Sequence, residues 1–123
     1  MKRSFAVVML TLVMSCSEQD SADSLRQKED RAIMLAAGKC GCLPKMPWLR
    51  DMIRQAESDF NSKGEIYAIA YSGGVAVLIQ PWISSCLGCA TYDCDGNRLI
   101  LNGSAMDEII KGTTEVNIIY SSF

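Results

Sequence analysis

The residues best suited to chemistry in this chain of 123 residues are its six cysteines, at positions 16, 40, 42, 86, 89 and 94. Cys40-x-Cys42 and Cys86-x-x-Cys89 have spacings at which thiols hold zinc, exchange disulfides or form structural bridges. The chain contains no His, which excludes Ser-His-Asp and Cys-His nucleophiles and His-ligated zinc. The choice among the thiol chemistries therefore depends on the redox compartment of the protein.

The N-terminal segment indicates export. Lys2 and Arg3 precede an apolar run of nine residues, 5–13, whereas a membrane-spanning helix needs about 20. The run ends in Val-Met-Ser-Cys at 13–16, which resembles the lipobox of bacterial lipoproteins. The resemblance implies that residues 1–15 are a signal peptide that is removed. It also implies that Cys16 then carries a diacylglycerol and an amide-linked fatty acid such as palmitate.

The region that follows predicts a membrane-tethered protein. Residues 16–24 are polar and acidic beyond Cys16, as in a flexible tether. Ser17, rather than Asp, follows the acylated Cys, which in lipoprotein sorting favours the outer membrane, with the domain on its periplasmic or cell-surface side. The predicted membrane contact is the lipid on Cys16, since several acyl chains hold a protein far more firmly than one. The net charge of −2 argues against nucleic acid as a partner.

Export would place the other five cysteines in an oxidising compartment, where disulfides are the default. Cys40 and Cys42 are too close in sequence to pair easily, so we predict that each pairs within the group Cys86, Cys89 and Cys94. Five is an odd number, and at least one thiol is left over. The alternatives are a zinc site made by both cysteine pairs and a redox-active Cys86-x-x-Cys89. Oxidation competes with the zinc site for the same thiols, and the Cys-x-x-Cys spacing alone is weak evidence for redox activity.

Two other patterns have a functional and a structural interpretation. Asp93 to Asn97 places oxygen atoms at alternate positions, as a calcium loop does. The sixth and twelfth positions are Arg98 and Ser104 rather than Gly and Glu, which favours a hairpin turn. Trp48 and Trp82 are candidates for a binding surface, although such aromatic side chains more often cap the core. No pattern supports a catalytic residue, and we predict neither enzymatic activity nor a metal or cofactor.

Helical patterns come first along the chain. Residues 25–39 predict a weak helix, because charges fill the first half and apolar residues crowd the second. Residues 48–62 predict the strongest helix, with Pro47 at its start. Its apolar face consists of Leu49, Met52, Ile53, Ala56 and Phe60.

Strand patterns follow from Glu65. Residues 65–72 and 75–80 predict a hairpin around Gly73-Gly74. Residues 90–94 and 98–101 predict a second hairpin, 104–112 a short helix opened by a capping box, and 114–121 a final strand. This order predicts an α+β fold, with a four- to five-stranded antiparallel sheet and one main amphipathic helix on one face. The predicted domain is disulfide-linked and comprises residues 40–123.

Residues 40–103 resemble a family of small Bacteroidota-type lipoproteins of unknown function. The matching strings are Cys40-x-Cys42, Pro47-Trp48-Leu49, Tyr71…Gly73-Gly74…Val77 and Tyr92-Asp93-Cys94-Asp95-Gly96-Asn97. The family has a further Cys near Ile100, which is absent here, so the partner of Cys94 stays open. The resemblance implies localisation and fold but no activity.

Together these patterns predict a lipid-anchored envelope lipoprotein. Its small domain is expected to be non-catalytic, with a binding or structural role and an envelope protein or glycan as partner. The alternative is a thiol-based envelope protein, redox-active or zinc-binding, that uses Cys86, Cys89 and Cys94.

Overall fold

The computed structural model describes residues 20–83 and 90–122. Three α-helices lie within these ranges: α1 (Asp20–Cys40), α2 (Pro47–Ser58) and α3 (Gly103–Lys111). Four strands accompany them: β1 (Gly64–Tyr71), β2 (Gly74–Pro81), β3 (Thr91–Tyr92) and β4 (Ile118–Ser121). Short 3-10 helices at Phe60–Ser62 and Glu115–Asn117 lead into β1 and β4.

The four strands form one antiparallel sheet in the order β3-β2-β1-β4, which confirms the predicted α+β fold. The hairpin of β1 and β2 pairs Tyr71 with Gly74, so its two-residue turn is Ser72-Gly73. The turn lies one residue before the predicted Gly73-Gly74. Gly74 has a φ of 132°, a conformation that favours glycine.

Both helices at the start of the chain pack on the same face of the sheet. Strand alternation sends Ile66 and Ala68 of β1 and Val77 of β2 to this face. The helices contribute Ala32, Ile33, Ala36, Ala37, Leu49, Ile53 and Ala56. Apolar burial between the two helices and the sheet therefore forms the larger core.

Helix α1 is a principal element of this core. It runs for 21 residues, and its charged half is used in packing against α2. Glu29 is only 4% exposed and accepts hydrogen bonds from Arg50 at 3.1 Å and Arg54 at 3.0 Å. At the other end, Lys39 donates to the backbone oxygen of Ala68 at 2.6 Å. The folded unit thus begins before residue 40, where the sequence pattern had placed its boundary.

Helix α2 is shorter than its periodicity suggests and ends at Ser58. Asp59 is extended, and its carboxylate accepts hydrogen bonds from the Asn61 amide at 3.1 Å and the Ser62 hydroxyl at 3.0 Å. This local cap starts a separate 3-10 turn. Phe60, predicted to lie on the buried helix face, is consequently 62% exposed.

The second face of the sheet carries a smaller core of Ile69, Ala76, Leu78 and Ile109, the last of which comes from α3. Helix α3 is capped by Asn102, whose side chain accepts from the Ala105 amide at 2.8 Å, and not by the predicted Ser104. Leu99 and Leu101 pack against this core. The predicted strand at 98–101 is reduced to a single bridge between Arg98 and Tyr92.

Candidate functional site

The chemically distinctive region is a disulfide at the C-terminal end of α1, which we call the disulfide corner (residues 40–48 and 92–97). Cys40 is bonded to Cys94 with a Cα–Cα distance of 6.0 Å across 54 positions of sequence. Cys42 is exposed and its thiol is free, so the expected bridge from Cys42 is not formed. Cys16, Cys86 and Cys89 lie outside the described residues.

The Cys40–Cys94 disulfide removes thiols that the zinc-binding and redox-active alternatives would use. Cys40 has no thiolate to offer, so the four-cysteine zinc site is not assembled with this bridge in place. Cys94 is in the same disulfide and has no free thiol. It is therefore not available to the redox alternative, which would use Cys94 together with Cys86 and Cys89. In the described part of the chain, no cluster of three cysteines or acids is placed to hold a metal ion.

Trp48 contacts both Cys94 and Tyr92 in the disulfide corner. Its indole nitrogen donates to the backbone oxygen of Cys94 at 3.2 Å, and its ring lies 5.7 Å from that of Tyr92. Gly96 has a φ of 88°, and a Cβ there would lie 2.6 Å from the Trp48 ring. This close approach needs glycine. Trp48 is half-buried and holds the turn after β3 against α2.

The turn itself is organised by Asp93. One carboxylate oxygen accepts the backbone amides of Asp95 and Asn97, each at 2.9 Å. The backbone amide of Asn97 contributes most to lowering the pKa of the Asp93 carboxyl. Burial raises that pKa by a smaller amount, and the Asp95 amide lowers it further, so the net shift is downward. The Asp93 carboxylate is thus engaged within a hairpin turn, which is the interpretation that the sequence pattern favoured over a calcium loop.

A shallow depression of about 440 Å³ opens beside the disulfide. Its rim carries Leu43, which is 72% exposed, and its floor includes Met46, a buried residue with a φ of 34° at the start of α2. Positive φ is uncommon for methionine. The other lining residues are Cys42, Pro47, Trp48, Cys94 and Asp95. Such a surface can accept an apolar side chain with a neighbouring hydrogen-bond donor.

A second, charged depression of about 510 Å³ lies between α1 and β4, lined in part by Lys28, Arg31, Glu65 and Tyr120. The Tyr120 hydroxyl donates to Glu57, which Lys28 also contacts at 3.2 Å. Burial and this hydrogen bond raise the pKa of Tyr120. Burial raises the pKa of Glu57, but the hydrogen bonds from Tyr120 and Lys28 outweigh it and leave that pKa lowered. These pairings join α1, α2 and β4.

An exposed apolar surface, which we call the aromatic patch, consists of Phe60, Trp82 and Ile83. The Trp82 ring meets the Phe60 ring edge-on at 5.4 Å, and the Trp82 backbone amide donates to the backbone oxygen of Lys63 at 2.9 Å. Trp82 and Ile83 are each 51% exposed. The sequence pattern singled out Trp82 but assigned Phe60 to the core. The Asp59-x-x-Ser62 cap was the signal that could have placed Phe60 outside the helix.

Comparison with known proteins adds no functional assignment. No protein-family model matches the chain, and neither the curated proteins nor the solved structures include a significant match. Among residues 20–83 and 90–122, no helix is both long enough and apolar enough to cross a bilayer.

Proposed function

We propose that the protein is an exported lipoprotein, anchored in the outer membrane through acylated Cys16, whose small domain is a non-catalytic binding or structural module. The Cys40–Cys94 disulfide is the observation that carries this proposal. Stable structural disulfides are typical of exported proteins and rare in the cytosol of most organisms. The bridge is consistent with the export signal proposed for residues 1–16.

The partner surface that we propose is the depression at the disulfide corner. Leu43 and Pro47 offer exposed apolar contact beside Asp95, so the surface combines apolar area with an acidic rim. The Cys40–Cys94 bond and the Trp48 hydrogen bond hold this surface rigid, which lowers the entropy lost on binding. An envelope protein with an apolar side chain flanked by a basic group fits this chemistry best.

The anchor is tested by comparing Cys16→Ser with Cys42→Ser in a Gram-negative host. The proposal predicts that the wild type and Cys42→Ser incorporate labelled palmitate and fractionate with outer membranes. Cys16→Ser should lose both properties, since it removes the acylated thiol but no thiol of the folded domain. Equal palmitate incorporation by all three proteins would contradict the proposal.

The partner surface is tested by cross-linking from Cys42, which lies in the depression. A maleimide-based cross-linker attached in intact cells should give a discrete adduct to one envelope protein. Leu43→Glu should reduce that adduct severalfold, because it places a charge on the apolar rim, whereas Ile100→Glu, at an exposed position that does not line the depression, should not. Adducts that are insensitive to Leu43→Glu would argue against this surface.

A further inference from the structure

The aromatic patch lies at a defined end of the molecule. Gly64, the first residue of β1, pairs with Pro81, which directly precedes Trp82. Phe60 follows the C-terminal end of α2, where Glu57 contacts Lys28 of α1. The patch and the N-terminal half of α1 therefore lie at the same end, whereas Lys39 and Cys40 lie toward the other.

The first turns of α1 extend from this end. None of the residues 24–28 is buried, in contrast to the core positions that follow Glu29. An α-helix rises about 1.5 Å per residue, so the eight residues from Lys28 back to Asp20 span about 12 Å. The chain covers at most about 14 Å more between Asp20 and Cys16. A lipid on Cys16 would thus keep this end of the domain close to the bilayer.

We infer that Phe60, Trp82 and Ile83 form a surface that contacts the lipid bilayer when the protein is anchored, an inference that rests on the proposed acylation of Cys16. Trp side chains are enriched at the membrane–water interface, where the apolar ring and the indole N–H meet different surroundings, and Phe side chains insert on the apolar face of interfacial segments. The anchor makes this contact intramolecular, so three side chains suffice although they would bind a membrane only weakly on their own.

The basic side chains at the same end are compatible with a lipid surface as the occupant. Arg26 and Lys28 are exposed on the first turns of α1, where Lys28 also pairs with Glu57 at 3.2 Å. Basic side chains next to an apolar surface favour the headgroups of anionic phospholipids. The membrane would then hold one end of the molecule, and the disulfide corner would face away from it.

The inference is tested with the mature lipidated protein in vesicles of phosphatidylethanolamine and phosphatidylglycerol. Tryptophan fluorescence is compared with and without brominated phospholipids. The chain has two Trp, and the wild type should lose a substantial part of its emission in brominated vesicles. Trp82→Phe should abolish most of that quenching, because Trp48 is at the disulfide corner. Ile83→Glu should also weaken the quenching, whereas Ile100→Glu should leave it unchanged.

The outcomes separate this inference from the anchor. A protein that floats with the vesicles but shows no quenching by brominated lipid contradicts the inference and leaves the anchor intact. Protection of Trp82 from acrylamide without quenching by brominated lipid would mean that another copy of the chain covers the patch, which also overturns the inference. A protein that neither floats nor carries acyl chains contradicts the proposed function, and the inference with it.

Discussion

Cys42 and Cys94 line the same depression but differ in chemical state. Cys94 is bonded to Cys40, and Cys42 is an exposed thiol two positions after Cys40. The sequence predicts disulfides between two groups of cysteines, the first at 40 and 42 and the second at 86, 89 and 94, but it does not select which members pair. The selection depends on the turn after β3, which Trp48 and Gly96 bring against the end of α1.

This difference gives a stability prediction. Cys94→Ser should lower the free energy of unfolding by about 2–4 kcal/mol, because the bridge restricts the unfolded chain across a long loop. Cys42→Ser should change it by less than about 0.5 kcal/mol, as expected for an exposed position. Urea denaturation without reductant measures both values. Equal losses for the two variants would contradict the assigned pairing.

The lowered pKa of Asp93 predicts a dependence on pH. A carboxyl with a lower pKa in the folded state stabilises the fold above its unfolded pKa of about 3.9, and this stabilisation is lost as the pH falls through the folded value. The wild type should therefore lose stability on acidification below about pH 4. Asp93→Asn should be less stable at pH 7 and should lose less on acidification.

The matched control is Asp95→Asn, in the same turn but with an exposed side chain. Thermal unfolding from pH 7 to pH 2 should give the same acid-dependent loss for this variant as for the wild type. If Asp93→Asn kept the full acid-dependent loss, the assigned role of the Asp93 carboxylate in the turn would be wrong.

At the scale of elements, the period of the apolar residues predicts the helices and strands that bury one face at regular intervals. The hairpin of β1 and β2 follows from alternation and a glycine pair, and the prediction placed its turn within one residue. The same period predicts that helix α2 continues to residue 62, because Phe60 fits it, whereas the helix ends at Ser58. Short-range hydrogen bonds of Asp59 overrode that period, and a pattern of apolar residues does not register them.

The importance of α1 was underestimated for a different reason. Its first half is charged, and ion pairs between neighbouring turns of one helix stabilise that helix only slightly. The charges are instead used in tertiary contacts, as Glu29 is buried between Arg50 and Arg54. Partners that lie more than 20 positions away in sequence are not visible in the local pattern of α1.

The packing of α1 is tested at neighbouring positions. Ile33→Ala should destabilise the protein by about 2–5 kcal/mol, because it removes a fully buried side chain between α1 and the sheet. Met34→Ala, at an exposed position of the same helix, should cost less than about 0.5 kcal/mol. Chemical denaturation of both variants provides the comparison. A small effect of Ile33→Ala would show that α1 is dispensable for the fold.

At the scale of the whole molecule, α1 connects two ends that carry different surfaces. A helix of 21 residues is about 30 Å long, and it connects the end with the aromatic patch to the disulfide corner. In the proposed arrangement the lipid and the patch hold the first end at the membrane. The second end, with the rigid depression, is then presented to a partner in the envelope.

This arrangement depends on the acylation of Cys16, which the intact mass of the protein purified from membranes tests most directly. The account predicts a chain that begins at Cys16 and carries a diacylglycerol and an amide-linked fatty acid on that residue. It also predicts a mass two hydrogens higher after reduction of the Cys40–Cys94 bridge, plus two for any further bridge. A chain that retains residues 1–15 and carries no lipid would contradict the account.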